Sequence, residues 1–231
     1  MTDFLSSSAV WGVVLTLCAF GVGRLIQRLP GLKWLNPLLT GSVLTVLALS
    51  LLSIPYPEYK TSASPLTYLL MPATVSLAIP LYEAWAKLQS KLPAILAGIG
   101  AGAVTGVAAS FLLARVFSLP LPYAVSFLPK SVTTAIGMDV AAELGGAVPL
   151  AIVLIVLTGI AGNLLAQVFC RLFRVTHPIA VGAAIGTCSH AIGTSKALEL
   201  GETQGAVSSL AIAVAGVLTA VLCPLFVSGL T

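Results

Sequence analysis

Charge is what this sequence has least of. Asp, Glu, Lys and Arg make up 8% of its 231 residues, against about 25% in water-soluble domains. With 58% hydrophobic residues and a mean hydropathy of +1.07, no soluble fold of this size could hide the apolar surface, so an all-α polytopic membrane protein is expected. The formal charge of +4 is then no nucleic-acid signature, because surplus Lys and Arg in such chains mark cytoplasmic loops. Cysteine is scarce too. Cys18, Cys170, Cys188 and Cys223 all fall in apolar stretches, without the spacing of a disulfide framework or a metal site. No H-E-x-x-H, Walker loop, G-x-S-x-G elbow or pair of acids for a soluble cleft occurs, which argues against an enzyme, a bound cofactor or a resident metal. At the N-terminus Asp3 stands where a signal peptide would carry Lys or Arg, and no small-x-small site follows the apolar run. The first hydrophobic segment is therefore expected to stay, and nothing resembles a transit peptide.

What is abundant is long apolar runs. A hydrocarbon layer of ~30 Å needs ~20 helical residues. Val10 to Ile26, Trp34 to Ile54, Leu66 to Tyr82, Leu92 to Val116, Val148 to Cys170 and Gly205 to Phe226 give about six full spans. Placing the basic loops around Arg24, Arg28, Lys33, Lys87 and Lys91 in the cytoplasm makes the first four alternate without conflict. The loop with Arg171, Arg174 and His177 fits the cytoplasm only if residues 123–146 do not cross completely. Tyr123 to Leu128 supplies ~9 Å of helix and Thr134 to Leu144 ~16 Å, each about half a membrane. Between them lie Pro129, which has no N–H, and a run of Ser and Thr. Pro178 to Gly186, a break at Thr187 to His190, and Ala191 to Leu200 repeat the pattern. The expectation is two re-entrant, broken-helix hairpins at 123–146 and 178–201, inverted relative to each other, with polar tips meeting near mid-membrane. Eight plain spans are the alternative, at the cost of one violation of the positive-inside pattern. The domains expected are a four-span scaffold over 1–116 and an inverted-repeat transport core over 117–231.

The two polar stretches are copies. An offset of 56 residues aligns Ala135-Ile136-Gly137 with Ala191-Ile192-Gly193, Thr133 with Ser189, Ala141 with Ala197, and Glu143-Leu144-Gly145 with Glu199-Leu200-Gly201. Interrupted apolar repeats of this sort point to a transporter's binding site. A half-helix starting inside the bilayer presents free N–H groups and the positive end of its dipole, which suits a carboxylate.

Lys130, Ser131, Thr133 and Thr134 in the first copy, and Ser189, His190, Gly193 and Thr194 in the second, are the candidate substrate-binding residues for a small hydroxy- or keto-acid. Taken singly, each Ser or Thr reads as a mere N-cap; two inverted copies together favour a site, since polar groups in a membrane are costly and usually functional. Asp139, Glu143, His190 and Glu199 are candidates for a coupling ion, H+ or Na+, or for a proton relay. Headgroup placement competes for the acids, with Lys196 close enough in sequence to neutralise Glu199, and a structural hydrogen bond competes for His190. His177, beside Arg174, reads as a solvated loop residue. Thr74 and Ser76, between Pro72 and Pro80, are weak candidates for lining the cavity within a kinked scaffold helix. Gly98-Ile99-Gly100-Ala101-Gly102 reads as close helix packing.

The stretch Leu128-Pro129-Lys130-Ser131-Val132-Thr133-Thr134 resembles the P-K-S-V-T-T signature of the LrgB family, which includes the CidB and YohK proteins. Ser189-His190-Ala191-Ile192-Gly193-Thr194 resembles its S-H-A/G-I-G-T signature, followed by Ala197-Leu198-Glu199 and Gly201-Glu202. Pro72-Ala73-Thr74-Val75 through Pro80-Leu81-Tyr82 resembles a third, weaker motif. The similarity covers nearly the whole chain. Ala135 stands where the family usually has Pro, and Ser195 where it often has Ala. The resemblance implies a multi-pass protein of the bacterial inner membrane, in homo- or hetero-oligomeric assembly with a small LrgA/CidA-type membrane protein. It implies two functions that are not equivalent: antiholin-like regulation of murein hydrolase export and cell lysis, or carriage of small monocarboxylates such as glycolate, glycerate and pyruvate. A structural subunit of a larger channel is a third class. The broken repeats side with carriage, since a lysis regulator gains nothing obvious from them.

Overall fold

The computed structural model describes residues 10–32 and 35–230, apart from the side chains of Leu70, Met71 and Thr74. Trp34, the expected start of the second span, thus lies outside the described residues, as does the side chain of Thr74. The described residues form helices and turns with no strand. Contacts divide the chain into two compact units, residues 1–76 and 77–231.

In the first unit α1 (Trp11–Arg28) packs against α2 (Pro37–Leu51). Asn36 starts α2 by accepting the Leu38 amide at 2.8 Å, with Pro37 at the first helical position, where a missing N–H costs nothing. The helices touch through glycine: a Cβ on Gly23 would press on the Pro37 carbonyl oxygen, and one on Gly41 on the Phe20 backbone. Three short helices follow, α3 (Tyr56–Ser62), α4 (Ser64–Tyr68) and α5 (Leu70–Ser76). The single span expected from Leu66 to Tyr82 is therefore interrupted, at Leu69 and again at Leu77. Pro65 and Pro72 each withhold an N–H here, and the gaps fall in this proline-rich stretch.

The second unit opens with α6 (Ala78–Leu88) and a 3-10 turn (Gln89–Lys91) leading into α7 (Leu92–Val116). Then come α8 (Leu121–Phe127), α9 (Thr134–Glu143), α10 (Val148–Leu172), α11 (Pro178–Leu200) and α12 (Glu202–Val227). Among the described residues three runs are long and apolar enough to cross a membrane: 78–116, Val148–Leu172 and Glu202–Val227, with hydropathies of 1.9, 2.3 and 2.6. On α10, Val153, Leu157 and Val168 remain 52%, 52% and 59% exposed. Such rows of bare aliphatic side chains on an apolar helix belong against lipid. This is a helical membrane protein.

The duplication seen in the motifs extends to element boundaries. Adding 56 to both ends of α7 gives the ends of α10, and Pro93 and Pro149 hold the same place in the two helices. Each is followed by a broken pair of arms. In the first, α8 and α9 fold back on each other around residues 128–133, so that Ser126 reaches Ala147, and Gly145, at φ +75, turns the chain out. In the second, two helical arms meet at a kink where His190 takes φ 42 and ψ −141 and reverses the chain. As a result Val181, Ile185 and Ala197 share one apolar cluster, and Ile185 lies against Gly193.

The contacts also give directions. Gly182 meets Gln204 and Gly186 meets Ser208, so the first arm of α11 runs parallel to α12; Thr194 meets Ser208 and Leu198 meets Gly205, so the second arm runs back. Helix α7 runs with the first arm, with Lys91 and His177 at one end and Gly102 against Thr187 further along. Helix α10 runs against it, since Gly162 abuts Ser189 and Cys170 packs in the cluster containing Val181. Helices α7 and α10 therefore run in opposite directions.

Candidate functional site

Both turns converge on α7 and α10. Gly106 faces the Ser131 hydroxyl at 3.9 Å from its would-be Cβ, and Gly102, one helical turn earlier, faces Thr187 at 2.9 Å. On α10, Ile155 touches Gly137 of the first copy with its side chain and His190 of the second with its carbonyl oxygen. Lys130 and Cys188 lie within electrostatic reach of each other. The repeat thus places the turns of two distant stretches side by side.

The first turn is rich in unused donors. Thr133 occupies the N-cap of α9 in extended conformation, yet its side chain makes no cap bond, so the first N–H groups of α9 have no side-chain acceptor. Ala135 sits in this first turn, where a proline is tolerated as well. The flanks are dry: Leu128, Pro129 and Val132 are buried. Lys130 is half-buried. Its ammonium is 3.4 Å from Ser131 Oγ and 5.9 Å from the Phe127 ring centroid, and among the described residues no carboxylate pairs with it. The hydroxyls of Thr133 and Thr134 hydrogen-bond to no described residue, and neither does that of Ser189, itself only 1% exposed.

Other candidates are occupied. His190, 2% exposed, has Nε2 3.1 Å from the Ile155 carbonyl oxygen, which fixes a proton on that nitrogen, and its ring fills the space a Cβ on Gly159 would take. Thr194 Oγ1 donates to the His190 carbonyl at 2.9 Å and so accepts from the Ser208 hydroxyl at 2.7 Å. Gly193 is a packing position, where a Cβ would overlap Ser189 and crowd Ile185. Asp139 and Glu143 are exposed on α9, and Glu199 is exposed and bound to Lys196 at 2.8 Å. Ser76 belongs to the first unit, is exposed, and donates to the Ala73 carbonyl at 2.7 Å.

A cavity of about 750 Å³ runs between the first half of α7 and the first arm of α11. Its outer end carries exposed Ser90, Lys91 and His177; its inner end is Gly102, Thr187 and Cys188. The walls between are Ala, Gly, Ile and Pro, and no acidic side chain lines it. The volume matches sites for small organic molecules. Lys91 and His177 are exposed, as expected of a loop cation and a solvated loop imidazole; Ser208, bonded to Thr194, is not marked by its local pattern, which reads as any helix serine.

No solved structure matches the chain. Among curated proteins it is 34% identical, over 217 residues and 94% of each chain, to the antiholin-like protein LrgB of Bacillus cereus strain B4264, and equally to that of Bacillus anthracis strain A0248. Residues 16–228 match the family model described as LrgB-like. With nearly the whole length covered in both comparisons, the chain belongs to the LrgB family.

Proposed function

We propose that this protein is a secondary transporter of small monocarboxylates of the glycolate, glycerate or pyruvate type, in the bacterial inner membrane, acting with an LrgA/CidA-type membrane protein. In this reading residues 123–146 and 178–201 enter the bilayer partway and return. Residues 117–231 act as the transport core on a scaffold formed by 1–116.

The observation that supports it is Lys130: a half-buried ammonium without a carboxylate partner, beside an uncapped helix N-terminus, where the two turns meet. An unpaired interior cation is costly unless an anion completes it. A carboxylate there would take charge-assisted bonds from Lys130 and the first amides of α9, with Ser131, Thr133, Thr134 and Ser189 supplying donors for a neighbouring hydroxyl or keto oxygen. Thr194, His190 and Gly193 hold the second turn in place, through α12, α10 and close packing respectively. The coupling ion in this scheme is H+ or Na+. His190 and the exposed Asp139, Glu143 and Glu199 are the groups to test for it.

The name of the relatives, antiholin-like protein, favours a second reading: control of murein hydrolase export and lysis. Purified protein in proteoliposomes, with and without an LrgA-type partner, separates the two. Saturable uptake of labelled glycolate, glycerate or pyruvate is expected, and is expected to fall on replacing Lys130 by Gln at unchanged expression. Absence of saturable flux in both preparations would leave the regulatory reading standing.

A further inference from the structure

The two copies should be chemically alike at matching positions, yet the mouth of the cavity is not. Under the 56-residue offset Lys91 corresponds to Ala147, His177 to Leu121 and Ser90 to Gly146. On the first side these residues line an open cavity. On the second, the corresponding gap is shut: Ser126 Oγ accepts the Ala147 amide at 2.7 Å and Gly146 packs on Ser126 and Val125. The donors Lys91 and His177 are therefore confined to one of two pseudo-equivalent openings.

Resting on the transport reading above, we infer that Lys91 and His177 form an outer, anion-collecting subsite at the mouth of the cavity, so that a small carboxylate is captured more readily from that face of the membrane than from the other. Lys91 precedes α7 and His177 precedes α11. These helices run in the same direction, and both begin at the mouth. His177 Nδ1 accepts the Ile179 amide at 3.3 Å, so even the neutral ring keeps a proton on Nε2 for donation to an oxyanion. Glu202, at the start of α12, is held by Lys87 at 3.7 Å, and no acidic side chain lines the cavity. From the mouth the walls are apolar as far as Thr187 and Cys188, so the anion finds no competing polar stop before the turns. A charge at such a mouth raises local anion concentration and capture without contributing to steps further in.

Lys91 and His177 are exposed, and their replacement leaves the packed interior intact. In proteoliposomes of defined orientation, labelled pyruvate should show a lower KM from the Lys91 face than from the opposite face. K91Q should raise KM on that face only, about fivefold for a loss of one charge at close range, and H177Q should raise it there by less, for a lost hydrogen bond, with Vmax unchanged. K91E should raise it further, and salt should erase the difference. Equal KM values from both faces in the wild type, or a variant effect that appears on both, overturns the inference. A second readout needs no flux. In detergent-solubilised protein, pyruvate should slow modification of Lys91 by a water-soluble amine reagent, read by peptide mass spectrometry, more than equimolar chloride does. A protected lysine in an inert liposome would sink the transport reading alone; flux with an unprotected lysine and unaltered KM would sink the subsite alone.

Discussion

His190 Nε2 lies 3.1 Å from the carbonyl oxygen of Ile155, 35 residues away in sequence, and this contact pins the turn of the second copy to α10. The residue is held there at φ 42, a conformation that favours glycine. Replacing His190 by Ala removes the ring from the Gly159 notch as well as the bond, and should cost about 2–3 kcal/mol. Glycine loses the same contacts but relaxes the backbone, so H190G should melt above H190A, by about 1 kcal/mol in stability. Thermal unfolding in detergent decides the order; H190A matching the wild type would remove the pin from the account. A methyl at Gly159, 2.8 Å from the ring, should dislodge the turn in the same assay.

Lys130 should behave in the opposite way. With no carboxylate partner among the described residues, its half-buried charge costs stability in the empty protein, so K130Q should leave the melting temperature no lower than wild type and raise it if anything. Carboxylate affinity should fall roughly tenfold to a hundredfold, as for a lost charge-assisted bond. K130R, which keeps the charge, should recover part of it. Isothermal titration with pyruvate reads the difference.

Thr194 and Ser208 are joined by a buried 2.7 Å bond between the second arm of α11 and α12. T194A and S208A should each destabilise, and the double variant should cost less than their sum by about 1 kcal/mol. The readout that separates structure from binding is KM for labelled pyruvate, expected to stay near wild type in whatever fraction remains folded.

Ser126 closes the base of the first copy by donating to the Pro122 carbonyl at 2.7 Å while accepting from Ala147. S126A should cost about 1–3 kcal/mol. It should also speed hydrogen exchange at Ala147 and expose a cysteine placed there (A147C) to a polar thiol reagent. Unaltered labelling would mean that packing of Gly146, not the hydroxyl, holds the gap shut.

The duplication was legible because it recurs in residue identity at one offset, and the ends of α7 and α10 obey the same offset. The polar turns were legible because Pro129 and the Ser/Thr run interrupt apolar helix. Three things were not. The breaks at Leu69 and Leu77 fall in a stretch whose hydropathy reads as one helix, since hydropathy does not register where backbone bonds fail. The anchoring of His190 uses a main-chain carbonyl, which every residue owns and no motif marks. The sharing of one cavity mouth by Lys91 and His177 exists only once two helices lie side by side in the same direction, a tertiary fact absent from either local pattern.

The agreement between Leu92–Val116 and Val148–Leu172 has one more consequence. A copied block made of one through-going helix and one pair of arms that returns on itself traverses its surroundings an odd number of times. The chain must then leave such a block on the far side, and a second copy spliced directly behind it has no choice but to be built upside down. Two residues, Gly146 and Ala147, suffice to join the copies. On the proposed transport reading, opposed orientation follows from counting alone and needs no connecting helix to flip one half.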